Sequence, residues 1–261
     1  MELCIKVYDK EGNLVAVGHG ENEVSLMCSR EYREGDRFGL EISEENAYVW
    51  LQWDDALGKS LVYVTGIVNY TIPFGEKRIN LSPKAFYGHK HLLYARAARD
   101  YEIKAYRNLA LNVNDQHGDV NCYPHASANV ETRGESVFAA KNAIDGVVIN
   151  DSHGEWPYQS WGINRRDDAV MRIDFGRTVE TDRIVLYTRS DFPHDNWWTE
   201  AAFRFSDGSR LVFPMEKSDR PHEFTFEKKQ IEWVEIGDLK KAPGPSPFPA
   251  LTQMEVYGTD L

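Results

Sequence analysis

The sequence predicts an all-β protein made of two β-sandwich domains that are joined by a short helical connector. Its 261 residues are long for one sandwich and sufficient to bury two cores. Short segments of alternating apolar and polar residues recur through both halves, and clusters of turn residues separate them. This pattern favours a sandwich or jelly roll over an α/β fold.

The first domain is predicted to span residues 1–95. Leu3, Ile5 and Val7 occupy every second position, as expected for a strand that buries one face. We expect further strands over residues 24–28, 37–42, 48–53 and 61–68. The sequence of this domain does not indicate its role.

The connector is predicted to be helical over residues 96–107. Between Leu92 and Leu111, alanine, tyrosine and isoleucine are interspersed with charged residues at a spacing compatible with a helix. This stretch differs from the alternating pattern on either side, and it marks the boundary between the domains.

The second domain is predicted to span residues 108–261. A helical turn is expected over residues 136–144, and it should end at Asp145-Gly146 because glycine readily takes the left-handed conformation that stops helices. We expect strands over residues 171–175, 183–189, 202–205, 211–213, 223–227, 232–236 and 253–257. They are short and closely spaced, as in a sandwich.

Charge and composition exclude several functions. A net charge of -11 with scattered basic residues argues against a nucleic-acid partner. No apolar run is long enough to cross a membrane, so a soluble protein without a membrane partner is expected. The start of the chain lacks the layout of a secretory signal, which predicts a cytoplasmic location. The three cysteines are few and widely spaced, and we expect free thiols.

Several short motifs follow one another in a characteristic order in the second domain. The early motifs are Ala128-Asn129, then Ala140-Lys141-Asn142-Ala143-Ile144-Asp145-Gly146, then a loop that carries Trp161. The later motifs are Arg172-Ile173-Asp174-Phe175-Gly176, Asp182-Arg183-Ile184-Val185-Leu186-Tyr187 and Met254-Glu255-Val256-Tyr257-Gly258. Over residues 108–258 this order resembles the discoidin-like family, also called coagulation factor type C or galactose-binding-like domains, and is similar to family 32 carbohydrate-binding modules.

The resemblance implies a jelly roll that binds a carbohydrate on loops at one end of the sandwich. Residues 153–166 and 189–198 lie between predicted strands and carry the aromatic and polar side chains that sugar recognition needs. A single tryptophan in such a loop more often closes the core than binds a ligand, but this clustering favours a ligand site. The predicted ligand-binding residues are Trp156, Tyr158, Arg189, His194, Asp195 and Trp197.

The resemblance also implies one structural calcium ion. Asp145 and Glu255 occupy positions similar to those of calcium-binding carboxylates in the family, and Asn150 is expected as a further ligand. The apolar insert Val147-Val148-Ile149 departs from the family pattern, in which this loop is usually short and polar. The alternative is that Asp145 simply caps backbone amides at the end of the helical turn.

We predict a non-catalytic carbohydrate-binding protein. The main alternative is a protein-interaction module that binds no sugar. A glycoside-processing enzyme has less support, because no spacing fixes a pair of carboxylates across a cleft and no metal-hydrolase or nucleophile-elbow motif occurs. The sequence does not indicate an oligomeric state.

Overall fold

The computed structural model describes residues 1–118, 121–151, 153–190 and 196–261. These residues form antiparallel sheets with very little helix, which confirms the all-β prediction. No helix among them has the length and apolar character to cross a membrane. The three cysteines are buried free thiols, as predicted.

The first half of the chain contains eight strands. They are β1 Glu2–Tyr8, β2 Leu14–Glu21, β3 Glu23–Cys28, β4 Arg37–Ile42, β5 Ala47–Gln52, β6 Ser60–Val64, β7 Val68–Thr71 and β8 His91–Ala97. The second half adds β9 Arg107–Asn108, β10 Cys122–Tyr123, β11 His125–Ala128, β12 Trp161–Gly162, β13 Met171–Thr188, β14 Trp198–Phe205, β15 Arg210–Pro214, β16 His222–Lys241 and β17 Ala250–Asp260. The helix α1 covers Asp100–Ile103.

Two sheets enclose the first hydrophobic core. One sheet has the order β2-β1-β4-β7, and the other has the order β10-β6-β5-β8-β3. Their inner faces bury Ile5, Phe38, Trp53 and Leu93 completely, in line with the period-two pattern of the sequence. Cys122 on β10 also belongs to this core, so a short piece of the second half completes the second sheet. The domain limits 1–95 and 108–261 stay a prediction.

The predicted helical connector over residues 96–107 is largely wrong. The alanine-containing stretch before it is strand β8, in which Leu93 and Ala95 point into the core while Leu92 points outwards. The burial of every second side chain in the core therefore decides for a strand here, although these residues have helix propensity. Only the four residues of α1 are helical, and Arg96 holds this turn through a 2.6 Å ion pair with Glu102.

The remaining strands form one large sheet that folds over a second core. Its order is β12-β17-β13-β16-β14-β15, with β11 paired to β13 and β9 paired to β17. The predicted strands over residues 171–175 and 183–189 are parts of the single long strand β13, and β16 likewise joins two predicted strands. Register shifts between Asp174 and Val179 and between Thr181 and Arg183 mark irregularities in β13. Trp161, Phe175, Phe203 and Leu251 are fully buried in the core that results.

Gly176 shows why the Asp-Phe-Gly motif suits the irregular region of β13. Its φ of +66° favours glycine, and a Cβ at this position would lie 2.4 Å from the ring of Tyr123. The carboxylate of Asp174 accepts a hydrogen bond from the Gly176 amide at 2.8 Å. The motif therefore encodes a tight turn that brings β13 against the start of the second half.

The predicted helical turn over residues 136–144 consists of two 3-10 turns, Ser136–Phe138 and Ala140–Ile144. It ends at Asp145, and Gly146 takes a left-handed φ of +84° as the sequence predicted. The turn packs Ala140, Ala143 and Ile144 into the second core. It also borders the loops that form the candidate site.

Candidate functional site

Several loops enclose a cavity of ≈ 230 Å³ at one end of the large sheet. Its walls are residues from the segments 132–138, 153–158, 162–165 and 248–250, together with Arg189. Trp161 and Gly162 in β12 pair with Leu251 and Ala250 in β17, which brings two of these segments to the same edge. Residues far apart in the sequence thus form one concave surface.

Arg189 and Tyr158 join the two loops that the sequence analysis selected. The Arg189 guanidinium lies 4.3 Å from the centroid of the Tyr158 ring, and its Nη1 donates a hydrogen bond to the Tyr158 carbonyl at 3.3 Å. Both residues are almost fully buried, at 2% and 4% exposure. The Tyr158 hydroxyl lies 3.1 Å from Nε2 of His153, a third residue of the cavity wall. These contacts hold the two loops together.

The more open part of the cavity is lined by Phe248, whose side chain is 38% exposed. The guanidinium of Arg165 lies 4.6 Å from its ring centroid, a distance at which a cation interacts favourably with an aromatic ring. Asn196 holds this segment in place, because its backbone amide donates to the Phe248 carbonyl and its side-chain amide donates to the Ser246 and Ala242 carbonyls. Phe248 is therefore an anchored and accessible aromatic ring.

The opposite wall carries a second aromatic-cation pair. Phe138 packs edge-on against Tyr158 with ring centroids 6.0 Å apart. The Arg133 guanidinium lies 5.6 Å from the Phe138 ring and forms a two-point ion pair with Glu135. Among the cavity-lining residues that the structure describes, none is acidic, whereas Arg133, Arg165 and Arg189 are cationic. The charged side chains of the described wall are therefore guanidinium groups, which donate hydrogen bonds and do not accept them.

Three non-glycine residues of the wall have left-handed backbones. The φ angles are +53° at Arg133, +49° at Asn164 and +63° at Arg165. Each such residue costs on the order of 1 kcal/mol. Thr132 compensates in part, because its hydroxyl accepts a hydrogen bond from the Asn164 amide at 3.0 Å. Strained backbone of this kind concentrates at sites that bind ligands.

Gly162 allows these two strained segments to approach. A Cβ at this position would lie 2.6 Å from Oγ1 of Thr132 and 3.1 Å from Cβ of Phe138. The missing side chain therefore lets residues 132–138 pack directly against β12. The floor of the cavity depends on this close contact.

The predicted ligand residues do not all lie in the cavity. Tyr158 and Arg189 line the cavity, whereas Trp156 lines a neighbouring groove and is 38% exposed. The Trp197 ring lies 5.4 Å from Nζ of Lys217, and its carbonyl accepts a hydrogen bond from the Ala242 amide. His194 and Asp195 lie outside the described residues. Two other tryptophans of these loops, Trp161 and Trp198, are fully buried core residues.

Sequence reasoning did not select Phe248, Phe138, Arg133 or Arg165. Phe248 is the single phenylalanine of the proline-rich segment 243–249, which is not among the predicted ligand-binding loops. Phe138 lies in the predicted helical turn over residues 136–144, and Arg133 lies just before it, outside any predicted element. Their role becomes visible once the strands bring the loops together.

The predicted calcium ligands are held mainly by hydrogen bonds. The Asp145 carboxylate accepts hydrogen bonds from the Val147 amide and the Gln159 side chain, and burial raises its pKa to about 7. Glu255 accepts a hydrogen bond from the Tyr257 hydroxyl, and burial raises its pKa as well. Asn150 donates to the Thr252 hydroxyl, while its own Oδ1 is buried without a partner.

Among these three side chains, the Oδ1 atom of Asn150 is the buried oxygen without a hydrogen-bond partner. Calcium takes six to eight oxygen ligands. Within the described ranges, His, Cys, Asp and Glu side chains form no group of three or more that could hold a metal ion. Asp145 caps the Val147 amide, as the alternative interpretation proposed. The calcium ion stays a prediction.

Comparisons with known proteins show one family match and several similar solved structures. Residues 121–241 match a family described as Domain of unknown function (DUF7402). No curated protein sequence matches the chain. The family match covers less than half of the chain and carries no activity in its description.

Several solved carbohydrate-binding modules are similar to the chain. Chitosan-binding module 1 from the chitosanase/glucanase of Paenibacillus sp. IK-5 is 18% identical and has a TM-score of 0.41, with 58% of this chain and 98% of that chain covered. A family 32 module from Clostridium perfringens NanJ, solved with galactose, is 19% identical over 51% of this chain and 91% of that chain, with a TM-score of 0.38.

A fucose-binding module from Streptococcus pneumoniae, SpX-3, is 15% identical over 59% of this chain and 98% of that chain, with a TM-score of 0.41. At these identities and TM-scores, the function of the cavity has to be judged from its own residues.

Proposed function

We propose that the protein binds a carbohydrate, without chemically changing it, in the cavity beside Tyr158 and Arg189. The observation that carries this proposal is the combination of an exposed aromatic ring, Phe248, with a wall of fixed hydrogen-bond donors in a cavity of ≈ 230 Å³. Pockets for drug-sized ligands usually measure about 300 to 1,000 Å³, so this cavity suits a smaller group such as one sugar ring.

The chemistry of a sugar ring fits this combination. One face of a pyranose presents C–H groups that pack on an aromatic ring, while its edge presents hydroxyls that need partners. Phe248 provides the apolar surface, and the guanidinium of Arg165 beside it provides donors in a fixed plane. His153 and Asn164 add side chains that can donate or accept. Binding would leave few hydroxyls without a partner.

The preorganisation of the wall also supports binding. The left-handed backbones of Arg133, Asn164 and Arg165 determine the direction in which these side chains leave the chain at the cavity. Because the loops are already ordered by contacts such as the backbone hydrogen bond from Asn196 to Phe248, a ligand would not have to order them. A structural lid for the core would not require this strain.

Isothermal titration of galactose, glucose, fucose and glucosamine, supported by thermal-shift measurements, tests the proposal. We expect at least one of these sugars to bind, and Phe248→Ala to weaken its affinity about tenfold through loss of the aromatic face. The matched control is Tyr101→Ala, which removes an aromatic side chain that is 65% exposed on α1. Unchanged affinity in Phe248→Ala would reject the cavity as the site.

The same samples distinguish the alternatives. If no mono- or oligosaccharide shifts the melting temperature, the protein-interaction module becomes the better hypothesis. Turnover of a glycoside that is lost in Asp195→Asn would instead indicate an enzyme. Binding without turnover is the result that the proposal requires.

A further inference from the structure

A groove of ≈ 520 Å³ lies beside the candidate cavity, between the loop that carries Trp156 and a segment of the first half. Its apolar surface includes Trp156 and Ile79, which stay 38% and 47% exposed. Arg78 and Glu155 add one charge of each sign to the lining. Exposed apolar side chains that are grouped in a groove and surrounded by polar groups are typical of binding sites.

The first-half wall of this groove is fixed relative to the cavity. The Ser136 hydroxyl donates a hydrogen bond to the Glu76 carbonyl at 2.5 Å, which joins segments 60 residues apart. The amides of Asn80 and Asn142 lie 2.8 Å apart, and both residues are fully buried. These contacts hold the segment around Ile79 against the 3-10 turns that border the cavity.

The groove and the cavity share a wall. His153 and Tyr158 line the cavity, whereas Gly154, Glu155 and Trp156 line the groove. Only three peptide units separate His153 from Trp156, so their Cα atoms are at most about 11 Å apart. The turn over residues 136–138 is shared in the same way, because Ser136 binds the first-half wall while Phe138 lines the cavity. A chain of a few sugar rings can therefore reach from one to the other.

We infer that the ligand is an oligosaccharide, with one ring in the cavity and a following ring against Trp156 in the groove. This inference rests on the proposed function and adds to it a second subsite that both halves of the chain build. The first half thereby gains a role in ligand binding.

The side chains of the groove suit a ring that carries hydroxyls. The indole of Trp156 offers a large flat apolar face. The Arg78 guanidinium is held by a hydrogen bond from Nη2 to the Pro83 carbonyl at 3.0 Å, and it has further N–H groups to donate. Glu155 is exposed, and its carboxylate accepts hydrogen bonds from donors such as hydroxyls. Since the two charges balance, a neutral glycan is the class of ligand that this subsite fits.

Titration with saccharides of increasing chain length tests the inference. Galactose, glucose and N-acetylglucosamine, each with its di-, tri- and tetrasaccharide, are titrated into the full chain by calorimetry. We expect the affinity for one series to rise at least tenfold between the monosaccharide and the tetrasaccharide. Trp156→Ala and Ile79→Ser should remove this gain while leaving monosaccharide affinity within twofold. Trp156→Phe should keep most of the gain, and Tyr101→Ala should change neither value.

Each other outcome has a definite meaning. Equal affinity for a monosaccharide and its tetrasaccharide overturns the second subsite and leaves the proposed function intact. A length-dependent gain that survives both Trp156→Ala and Ile79→Ser places the added contacts elsewhere and also overturns it. Absence of binding across all three series, and of binding to the four monosaccharides named above, rejects the proposed function and the subsite with it. Trp156 and Ile79 are only partly exposed, so melting temperatures are measured for each variant to verify that it is folded.

Discussion

The guanidinium of Arg189 lies 4.3 Å from the ring centroid of Tyr158, although the two residues are 31 positions apart in the sequence. This contact joins the two loops whose aromatic and polar residues suggested a ligand site. Because Arg189 is only 2% exposed, its cation depends on the partners that surround it. The shape of the cavity therefore depends on a buried planar side chain.

Replacement of Arg189 by lysine should destabilise the protein and weaken sugar binding together. Lysine keeps the charge but lacks the planar fork that stacks on Tyr158 and donates to its carbonyl. We expect a loss of about 1 to 3 kcal/mol in the free energy of unfolding, measured with urea. Arg166→Lys is the matched control, since Arg166 is exposed and paired with Asp168. Equal stability of the two variants would contradict the structural role of Arg189.

Replacement of Arg165 by glycine should weaken sugar binding while leaving the stability of the protein nearly unchanged. Glycine relieves a backbone φ of +63°, while the change removes the contact with Phe248. We expect the free energy of unfolding to change by less than about 1 kcal/mol, because strain relief offsets the lost contact. Affinity for the sugar should fall about tenfold. Asn46→Gly, at an exposed left-handed position outside the cavity, should leave affinity unchanged. If Arg165→Gly lowered both the free energy of unfolding and the affinity for the sugar, the left-handed backbone of Arg165 would not be a source of strain.

Two histidines predict how stability depends on pH. The hydrogen bond to Glu131 raises the pKa of His117, and at His125 burial lowers the pKa but the contact with Asp115 outweighs it, with a smaller contribution from Asp174. A histidine whose folded pKa is raised stabilises the protein below its unfolded value of about 6.5. That stabilisation is lost as the pH rises through the folded pKa. The free energy of unfolding should therefore fall as the pH rises from about 6.5 through the folded pKa values of these two histidines.

The variant His125→Gln tests this assignment. His125 is the better choice because His117 is 62% exposed and its ion pair is screened by solvent. Urea denaturation at several pH values should show a shallower decline in His125→Gln than in the wild type. The exposed residue His89 supplies the control variant His89→Gln. A decline of the same slope in His125→Gln would assign the pH dependence to other groups.

Calcium at Asp145, Asn150 and Glu255 is tested by thermal shift. A bound ion stabilises the folded state by about 2.7 kcal/mol when its concentration is one hundred times the dissociation constant. Calcium should raise the melting temperature, EDTA should reverse the shift, and Asp145→Asn should abolish it. Asp167→Asn, in an exposed loop, should retain the shift. A melting temperature that does not respond to calcium in the wild type would leave Asp145 as a capping residue alone.

Local patterns in the sequence were sufficient for much of the fold. The period-two burial of β1 and the turn at Asp145-Gly146 are encoded by neighbouring residues. Strand β8 was missed because alanine, leucine and charged residues have helical propensity, and tertiary burial decides between the two states. The long strands β13 and β16 appeared as separate strands because their irregularities interrupt the alternation.

The candidate site was less predictable for a different physical reason. Tyr158 and Arg189 could be selected because they lie in loops rich in aromatic and polar residues. Phe248 and Arg133 come from segments that only the strand pairing of β12 with β17 and the close approach at Gly162 bring together. Such contacts depend on the register of distant strands, which a local pattern does not contain.

The most direct test of the account is a backbone amide NMR titration of the wild-type protein with the sugar that binds best. We predict that the amide signals of Gly162, Asn164 and Ala250, which line the cavity, shift in proportion to its occupancy. Signals around His117 and His125, which line a different concavity, should stay in place. Saturation of binding without movement of the cavity signals would contradict a sugar site beside Tyr158 and Arg189.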